Sequence, residues 1–539
     1  TPEQAEEGHN LLSRMPKLEA QRKLRKEYQK LSDGSLEVKE FLDNRENLIG
    51  GMKLQRDVAE RYARKILDAI DQVGSNYVKE VPAGELATLA IRGLYARVDE
   101  KIPSEINERL AKAKSLRKPE LRALLADARE KLGKREDLAN HKDIDVSLQR
   151  MLFRLDPHST YFDKETVKRF EQDTQGEFTG IGASVGKDFG RDVLKIISPI
   201  RGSPAYKKGL QAGDLIITIT REEDNEGNKL DPAEVIPTKG MSVSDAVKKI
   251  VGKPGTKVKL TIERDGKPQE VEIERGRVEV ETVIGTKRKA DDSWDYYIDP
   301  TYQIAYIHLT QFSRNTYRDL ANAMKELSKK GIKGLVLDLR FNPGGLLDGA
   351  VNVSDMFIGD GLIVTIKPRK GEEEPYFGRN ENSYLDFPMA VLVNGHSASA
   401  SEIVSACLQD HRRAVVIGER SYGKGSVQNI RGFDGGQMKL TIATYWRPSG
   451  KNIHRLSTGG KDEDEWGVAP DKGFEVKQSP RERADLEEHL RDMEIIPRKD
   501  KPATKEAKAD NKDRQLDKAM EYIREQIKLA SRVQAKKAS

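Results

Sequence analysis

The chain has 539 residues, of which 36% are hydrophobic and 34% charged, with a net charge of +6 and a mean hydropathy of −0.69. Its length predicts three or four domains. The small net charge, with both signs interspersed, argues against a dedicated nucleic-acid-binding protein, and no apolar run is long enough to cross a bilayer. The single cysteine excludes an internal disulfide framework and a thiolate metal cluster.

The first predicted region covers residues 1–164. Its stretches are long, charged and poor in glycine, which is typical of helices. We therefore expect a helical N-terminal region.

The second predicted module covers residues 176–277. Gly180, Ile181, Gly182 and Ala183 precede a strand-like run, further glycine turns lead into a strand at 215–219, and a short amphipathic helix follows. This order of elements resembles a PDZ domain. The resemblance implies that a peptide adds as a strand to a sheet edge while loop N–H groups bind its terminal carboxylate.

The same resemblance assigns residues to the peptide. Gly180, Ile181, Gly182 and Ala183 would form the carboxylate-binding loop. On the helix predicted at 243–251, Val247 and Ile250 would line the pocket for the last side chain. The alternative is that one or two of Ile181, Val247 and Ile250 are simply core residues.

Three segments further along combine a buried strand with reactive or flexible residues. The strand 335–339 runs into residues 342–345, Asn-Pro-Gly-Gly, where the glycines let the backbone approach a ligand closely. The strand 389–393 precedes residues 397–402, Ser-Ala-Ser-Ala-Ser-Glu, and then a helical pattern. Ser399 therefore lies where a strand turns into a helix, and the N–H groups there can face a substrate oxygen. A third strand, 414–417, leads to Lys424.

These segments together resemble the carboxy-terminal processing (tail-specific) serine peptidases. The matching motifs are LDPHSTYF at 155–162, DLRFNPGG at 338–345, SASASE at 397–402 and GKGSVQ at 423–428. The resemblance extends from about Leu155 to Asp471. It implies an α/β serine-peptidase core formed by residues 278–475 together with 165–175.

The family pattern implies a role for each matching residue. Ser399 would be the nucleophile, Lys424 the general base, and Gln428 the residue that holds the lysine. The oxyanion hole would use the N–H of Ala400 and that of either Gly344 or Gly345. The family pattern, and no periodicity, selects the middle serine, so that Ser397 and Ser401 would be structural.

A Ser-Lys pair is a known variant of the catalytic triad. A free lysine has a pKa of ~10.4 and is protonated at neutral pH. To act as a base, it must be desolvated so that its pKa falls by about three units. No carboxylate occurs in the sequence between Glu419 and Asp434, which suits a neutral amine at Lys424.

Two other interpretations use the same residues. Residues 418–424 nearly spell a phosphate-binding loop, but Gly425 follows the lysine where Ser or Thr is required, and residues 426–430 alternate like a strand. A Ser-His triad would use His396 or His411, yet neither has a carboxylate at a telling spacing. We expect Asp410 to be a surface aspartate, with the alternative that it orients a nearby group. Glu402 is favourably placed for the helix dipole, and we expect it to take no part in the chemistry. Cys407 is expected to be a small buried hydrophobe.

Two regions have no predicted function. In the family, a helix like the one near residue 94 leads quickly to the LDPHS motif. Here a charge-rich stretch of about 50 residues intervenes, so we interpret residues 100–144 as an inserted helical hairpin. Residues 476–539 form a basic, lysine-rich helical tail that we expect to pack on the body.

We therefore predict an α+β multidomain protein, a serine endopeptidase that binds protein C-termini through its PDZ domain and cleaves through an acyl-enzyme. The alternative is a catalytically inactive PDZ scaffold that binds protein tails. The expected partners are protein substrates with apolar C-termini, and an adaptor protein is left open. We expect no cofactor and no metal, since no spacing of His, Asp or Glu resembles a metal site. Because the chain opens at Thr1, we expect that an export signal or a longer leader has been removed. The family resemblance alone implies an exported, periplasmic protein.

Overall fold

The computed structural model describes residues 1–13, 15–164, 166–167, 177–379, 381, 383–458, 460–461, 463–498 and 513–538. Two units emerge from the contacts of the chain. The first unit contains the described residues of 1–168, 368–371 and 427–443, and the second contains those of 169–367, 372–426 and 444–539. Within the described stretches, no helix is both long enough and apolar enough to span a bilayer.

Helices dominate the first unit. In chain order they are α1 (Pro2–Ser13), α2 (Glu19–Ser32), α3 (Val38–Met52), α4 (Arg56–Asn76), α5 (Ala83–Val98), α6 (Ser104–Ala111), α7 (Lys118–Lys131) and α8 (Lys142–Phe153), with 3-10 turns at Ala113–Ser115 and Glu136–Leu138. A short strand, β1 (Thr160–Phe162), follows and pairs antiparallel with residues 437–439.

The main core of this unit is built by α4, α5, α7 and α8. Their apolar faces meet around Ile66, Leu94, Leu124 and Leu148, which are fully buried. Because α7 lies within residues 100–144, that stretch contributes to the common core. Its prediction as an inserted hairpin remains a prediction.

The second unit begins with a sheet domain. Its elements are β2 (Glu177–Gly180), β3 (Ala183–Asp188), β4 (Val193–Pro199), α9 (Pro204–Lys207), β5 (Leu215–Glu223), β6 (Lys229–Pro237), α10 (Val243–Ile250), β7 (Lys257–Arg264), β8 (Lys267–Glu274) and β9 (Gly276–Glu279). The strand order is β3-β4-β5-β7-β8, with β6 added to β5, and β2 pairs with β9. Alternating residues such as Leu194, Ile216 and Leu260 fill its core.

The α/β region follows. Its elements are β10 (Val283–Ile284), β11 (Lys287–Arg288), β12 (Trp294–Asp295), β13 (Tyr297–Asp299), β14 (Ile304–Leu309), α11 (Thr316–Lys329), β15 (Gly334–Asp338), α12 (Leu347–Asp355), β16 (Asp360–Pro368), β17 (Glu374–Arg379), β18 (Met389–Val393), α13 (Ala400–Asp410), β19 (Ala414–Gly418), β20 (Ser426–Phe433), β21 (Gly436–Trp446), a 3-10 turn (Arg455–Ser457), α14 (Pro480–Glu494) and α15 (Arg514–Ala538). The three strands predicted from apolar runs are β15, β18 and β19, each buried along its whole length.

Strands β14, β15, β18 and β19 run parallel and adjacent. Their carboxyl ends therefore lie at one edge of the sheet, where ligands bind in α/β folds. The loops that leave this edge after β15, β18 and β19 are those that carry Gly344, Ser399 and Lys424. Helix α15 covers one face of the same sheet, with Ala519 and Ile523 completely buried against it.

Residues 496–498, which follow α14, contact the sheet domain. The N–H of Ile496 donates to the Ser198 hydroxyl over 3.0 Å, and Arg498 forms an ion pair with Asp265 over 2.6 Å. Residues 496–498 are called the C-terminal strap below. The predicted fold class, α+β and multidomain with helical terminal regions, is confirmed.

Candidate active site

Ser399 occupies a strained turn between β18 and α13. Its φ and ψ are 56° and −112°, a combination that non-glycine residues rarely adopt, and α13 begins at the next residue. Only 5% of the residue is exposed. A sharp strand-to-helix turn of this kind is how α/β-hydrolases present a nucleophilic serine.

The two neighbouring serines have hydroxyl groups already engaged with the backbone. The Ser397 hydroxyl donates to the carbonyl of Leu339 over 2.8 Å and accepts the N–H of Asn394. The Ser401 hydroxyl donates to the carbonyl of Asn342 over 3.0 Å. Both therefore fasten the loops of the sheet edge to one another, in keeping with the structural role expected for them.

The loop after β15 closely approaches Ser399 at Gly344. A Cβ placed there would lie 2.8 Å from the Cβ of Ser399 and 2.9 Å from the amide nitrogen of Ala400. A Cβ at Gly345 would lie 2.1 Å from the carbonyl oxygen of Phe312. Both positions have positive φ, 98° and 146°, so only glycine fits. The N–H of Gly344 donates to the side chain of Asn342 over 2.8 Å.

Glu402 makes the most consequential contacts of the site, and sequence reasoning missed them. Its Oε2 accepts the backbone N–H of Ser399 and that of Lys424, each over 2.8 Å. Its Oε1 accepts the N–H of Gly423 over 2.6 Å and the hydroxyl of Ser421 over 2.5 Å. The local signal was present, since Ser-x-x-Glu is a capping-box pattern.

Burial sets the ionisation of this carboxyl group. Glu402 is completely buried, and desolvation raises its pKa from 4.5 to about 6 even though its four hydrogen bonds oppose the shift. The sequence showed no carboxylate near Lys424, but the folded chain places one against its backbone. Glu402 lies in the first turn of α13 as expected, but its four hydrogen bonds to two loops were not predicted from the sequence.

The Lys424 loop is covered by the chain that follows β21. A Cβ at Gly423 would lie 2.8 Å from the ring of Trp466, and one at Gly425 would lie 2.4 Å from the amide nitrogen of His454. The two glycines therefore let the covering segment approach the half-buried Lys424 from both sides. Strand β20 begins immediately after the loop, at Ser426, so the helix that a phosphate-binding loop requires does not follow the lysine.

Tyr445 is a further residue that sequence reasoning missed. Its backbone N–H donates to the carbonyl of Gly425 over 2.8 Å, and its side chain interacts with the hydroxyl of Ser399. Burial raises the pKa of the phenol to about 12, so that it stays protonated at neutral pH.

Gln428 belongs to the first unit, where the LDPHS motif orients it. Its Nε2 donates to the Thr441 hydroxyl over 3.3 Å, and that hydroxyl donates to Asp156 over 3.2 Å. The Asp156 carboxylate also accepts the Ser159 hydroxyl over 2.7 Å. The motif at residues 155–162 thus supports the amide of Gln428 through Thr441.

The residues of the Ser-His alternative are engaged elsewhere. The ring of His396 is exposed and stacks on Phe341. His411 follows the last residue of α13, about 18 Å along the helix from Ser399 at 1.5 Å per residue, and its Nε2 lies 2.7 Å from the carbonyl of Leu362.

Two other residues of α13 have structural contacts. Asp410 is not the surface aspartate that we expected, because its carboxylate forms two bonds with Arg447 and accepts the N–H of Ser449. Cys407 is fully buried, as expected, and its thiol pKa is raised to about 12 by burial. Among the described residues, no group of three or more His, Cys, Asp or Glu is arranged to hold a metal ion.

In the sheet domain, the loop that precedes β3 is tied back to the turn before α9. The carbonyl of Ile181 accepts the N–H of Ala205, and the carbonyl of Gly182 accepts the N–H of Ile200 and the Ser203 hydroxyl. In a trans peptide the N–H points opposite to the carbonyl. The N–H groups of Gly182 and Ala183 therefore face away from that turn.

The two candidate pocket residues of α10 differ in exposure. Ile181 and Ile250 belong to the core, at 3% and 4% exposed, whereas Val247 is 41% exposed. Two of the three residues are therefore buried in the core, as the alternative interpretation allowed, and Val247 is not. Their assignment to a peptide pocket remains a prediction.

Comparison with known proteins identifies both domains. The sequence pattern of peptidase family S41 matches residues 303–472, and that of the PDZ domain matches residues 168–263. A carboxy-terminal-processing protease of Bartonella bacilliformis is 39% identical over 325 residues, covering 59% of this chain and 68% of that protein. The carboxy-terminal processing protease CtpA of Bacillus subtilis is 37% identical over 318 residues, covering 58% and 62%.

A carboxyl-terminal-processing protease of Synechocystis is 33% identical over 351 residues, which cover 64% of this chain and 74% of that protein. Among solved structures, a photosystem II D1 C-terminal processing protease matches 77% of this chain and 93% of its own, at 26% identity and a TM-score of 0.41. The chain therefore belongs to the carboxy-terminal-processing proteases, PDZ-containing serine peptidases of family S41.

Proposed function

We propose that this protease cleaves its substrates with Ser399 as nucleophile and Lys424 as general base. The observation that carries the proposal is the carboxylate of Glu402, which accepts the backbone N–H of both residues on one oxygen atom. The engaged hydroxyls of Ser397 and Ser401 support the choice of the middle serine. An inactive scaffold would have no use for this arrangement.

The reaction follows from the chemistry of these groups. A neutral Lys424 amine takes the proton of the Ser399 hydroxyl as the oxygen attacks the scissile carbonyl. The proton then passes to the leaving amine, which leaves an acyl-enzyme that water hydrolyses by the same route. From the family pattern, Gln428 holds the lysine, and its link through Thr441 to Asp156 fixes its amide.

The oxyanion hole uses the N–H of Ala400 and that of the glycine loop. Gly344 lies against Ser399, but its N–H is taken up by Asn342. We therefore favour Gly345 as the second donor, with Gly344 providing the close approach.

Substrate selection falls to the PDZ domain. Its loop at residues 180–183 binds the terminal carboxylate, and Val247 and Ile250 accept an apolar last side chain. The Gly182 and Ala183 N–H groups, which face away from the turn that fixes their carbonyls, support this role. From family resemblance we also infer that the protein works in the periplasm or another exported compartment, and cell fractionation tests this. Recruitment by an adaptor protein stays open.

Single substitutions at the two catalytic positions test the proposal. We expect Ser399→Ala and Lys424→Ala to lose comparable activity on an unfolded substrate, because residues that act as a unit are non-additive. Both variants should still bind a C-terminal peptide, measured by fluorescence anisotropy. His396→Ala serves as the control and should cleave normally. Turnover retained by Ser399→Ala or by Lys424→Ala would contradict the assignment.

A further inference from the structure

A buried carboxylate connects the segment of the nucleophile to the segment of the base. Ser399 and Lys424 lie on different loops, after β18 and after β19. Two 2.8 Å bonds to the same Oε2 atom of Glu402 cannot place their two amide nitrogens more than twice that distance apart. The second oxygen holds the loop at two more points, Ser421 and Gly423. We infer that Glu402 is a positioning residue, whose carboxylate sets the separation of the Ser399 and Lys424 backbones for acyl transfer.

A second capping box in the same chain shows that ordinary capping does not require this arrangement. At the start of α14, Glu482 accepts the N–H of Ser479 over 2.7 Å, as Glu402 does for Ser399. That carboxylate is partly exposed and pairs with Arg514, and its pKa is lowered to about 2, chiefly by the backbone hydrogen bond. It satisfies its own helix and needs no burial. Glu402 instead is completely buried. Its Oε1 and one of the two bonds of its Oε2 go to the loop that carries Lys424.

The four groups around Glu402 require a carboxylate of this length. Three of them are backbone N–H donors, and the fourth is a hydroxyl that also accepts the N–H of Val468, so it donates to Glu402. A carboxylate offers two accepting oxygens, whereas an amide offers one oxygen and an NH₂ group that would face a donor. An aspartate keeps both oxygens but is one methylene shorter, so it cannot reach both loops with unchanged geometry.

The inference rests on the proposed roles of Ser399 and Lys424. It predicts that Glu402→Gln and Glu402→Asp lower kcat by roughly tenfold to a hundredfold, the equivalent of one hydrogen bond to a charged group. The KM should stay within about threefold, because Glu402 lies in the peptidase site and not in the tail-binding loop. The rate at which a phosphonofluoridate labels Ser399 should fall in parallel with kcat.

Two variants on matched residues control for a purely structural effect. Glu482→Gln breaks the capping box of α14, and Ser405→Ala removes a fully buried hydroxyl of α13 that bonds to carbonyls of its own helix. Both variants should keep the kcat and the labelling rate of the unaltered enzyme, whatever their melting temperatures. Should Glu402→Gln not fold, Glu402→Asp, which retains the charge, decides alone.

The outcomes separate this inference from the proposed function. A kcat within twofold of the unaltered enzyme in a folded Glu402 variant overturns the positioning role. An equal loss of kcat in Ser405→Ala at the same fall in melting temperature also overturns it. If Ser399→Ala or Lys424→Ala remains active, the proposed function fails, whatever Glu402 does.

Discussion

Glu402 illustrates how one buried acid affects stability and activity in opposite directions. Burial raises its pKa from 4.5 to about 6, so the folded protein binds the proton more tightly than the unfolded chain does. The ionised form therefore costs about 2 kcal/mol of folding free energy above pH 6, and this cost disappears as the pH falls below 4.5. The full set of hydrogen bonds to the loops of Ser399 and Lys424, however, needs the ionised form.

The first prediction concerns this pH dependence. In the unaltered enzyme, log kcat/KM should decrease as the pH falls, first with the slope of a single proton, taken up by Lys424. Below about pH 6, where Glu402 also becomes protonated, the slope should steepen to that of two protons. Glu402→Gln should show the first proton only. As the pH is lowered from 7.5 to 4.5, the unaltered enzyme should gain about 2 kcal/mol of unfolding free energy relative to Glu402→Gln, because only its carboxylate takes up a proton. Profiles of equal steepness below pH 6 would contradict the prediction.

The sequence was informative at residue scale wherever a motif is local. The turn at Ser399 and the glycine loop could be predicted because each follows a strand within a few residues. The reach of Glu402 could not, because Ser421 to Lys424 are brought to it only by the parallel pairing of β18 with β19. Tyr445 was missed for the same reason, since its contact with Ser399 joins distant segments.

At the scale of elements, helix α15 packs on the peptidase sheet, and residues at its start bond to the loop that carries Gly344. Arg340, which is fully buried two residues before the Asn342 that holds the glycine loop, pairs with Asp338 over 2.6 Å and with Asp513 over 2.8 Å. Its guanidinium also donates to Gln515, whose amide is bonded to the carbonyl of Val476. The beginning of the C-terminal helix is therefore held to the strand end that carries the glycine loop.

We predict that Asp513→Asn destabilises the enzyme by roughly 3 kcal/mol, as expected when a buried cation loses one partner. It should also lower kcat, because Arg340 supports the loop that contains Gly344 and Gly345. Chemical denaturation and steady-state kinetics measure both effects. Arg524→Gln is the control, since it breaks the Arg524–Asp299 pair further along the same helix, and it should leave kcat unchanged. Equal losses of kcat in the two variants would show that Asp513 does not support the glycine loop through Arg340.

The composition of the tail explains why its role was hard to predict. Residues 476–539 are rich in lysine, which indicates a solvated surface, and helical spacing of a few apolar residues is all that suggests packing. The partners of Ala519 and Ile523 are strands that precede them by more than a hundred residues. The same reasoning applies to α7, whose charged sequence conceals the buried Leu121, Leu124 and Leu125.

At the scale of the whole molecule, capture of a tail and cleavage take place on different domains. We predict that a C-terminal amide, or a terminal Asp in place of Val, weakens capture of an unfolded substrate by roughly tenfold or more, through loss of a charge-assisted bond or of apolar burial. The loss should appear in KM and leave kcat unchanged, because the peptidase site is separate. Kinetics on one substrate with three different C-termini decides the matter, and equal KM values would rule out tail recognition.

The C-terminal strap gives the PDZ domain a second attachment to the peptidase core. Residues 496–498 contact the PDZ domain at Ser198, in β4, and at Asp265, in the turn between β7 and β8, and α15 is anchored to the peptidase sheet at Arg340. Because the strap begins two residues after the end of α14, a detached strap stays near its contact at a high effective concentration and rebinds after each opening. Weakening the Arg498–Asp265 pair should therefore make the strap open more often without releasing it. The PDZ domain would then be loosened only while the strap is open. The contacts of α15 with the peptidase sheet would stay intact.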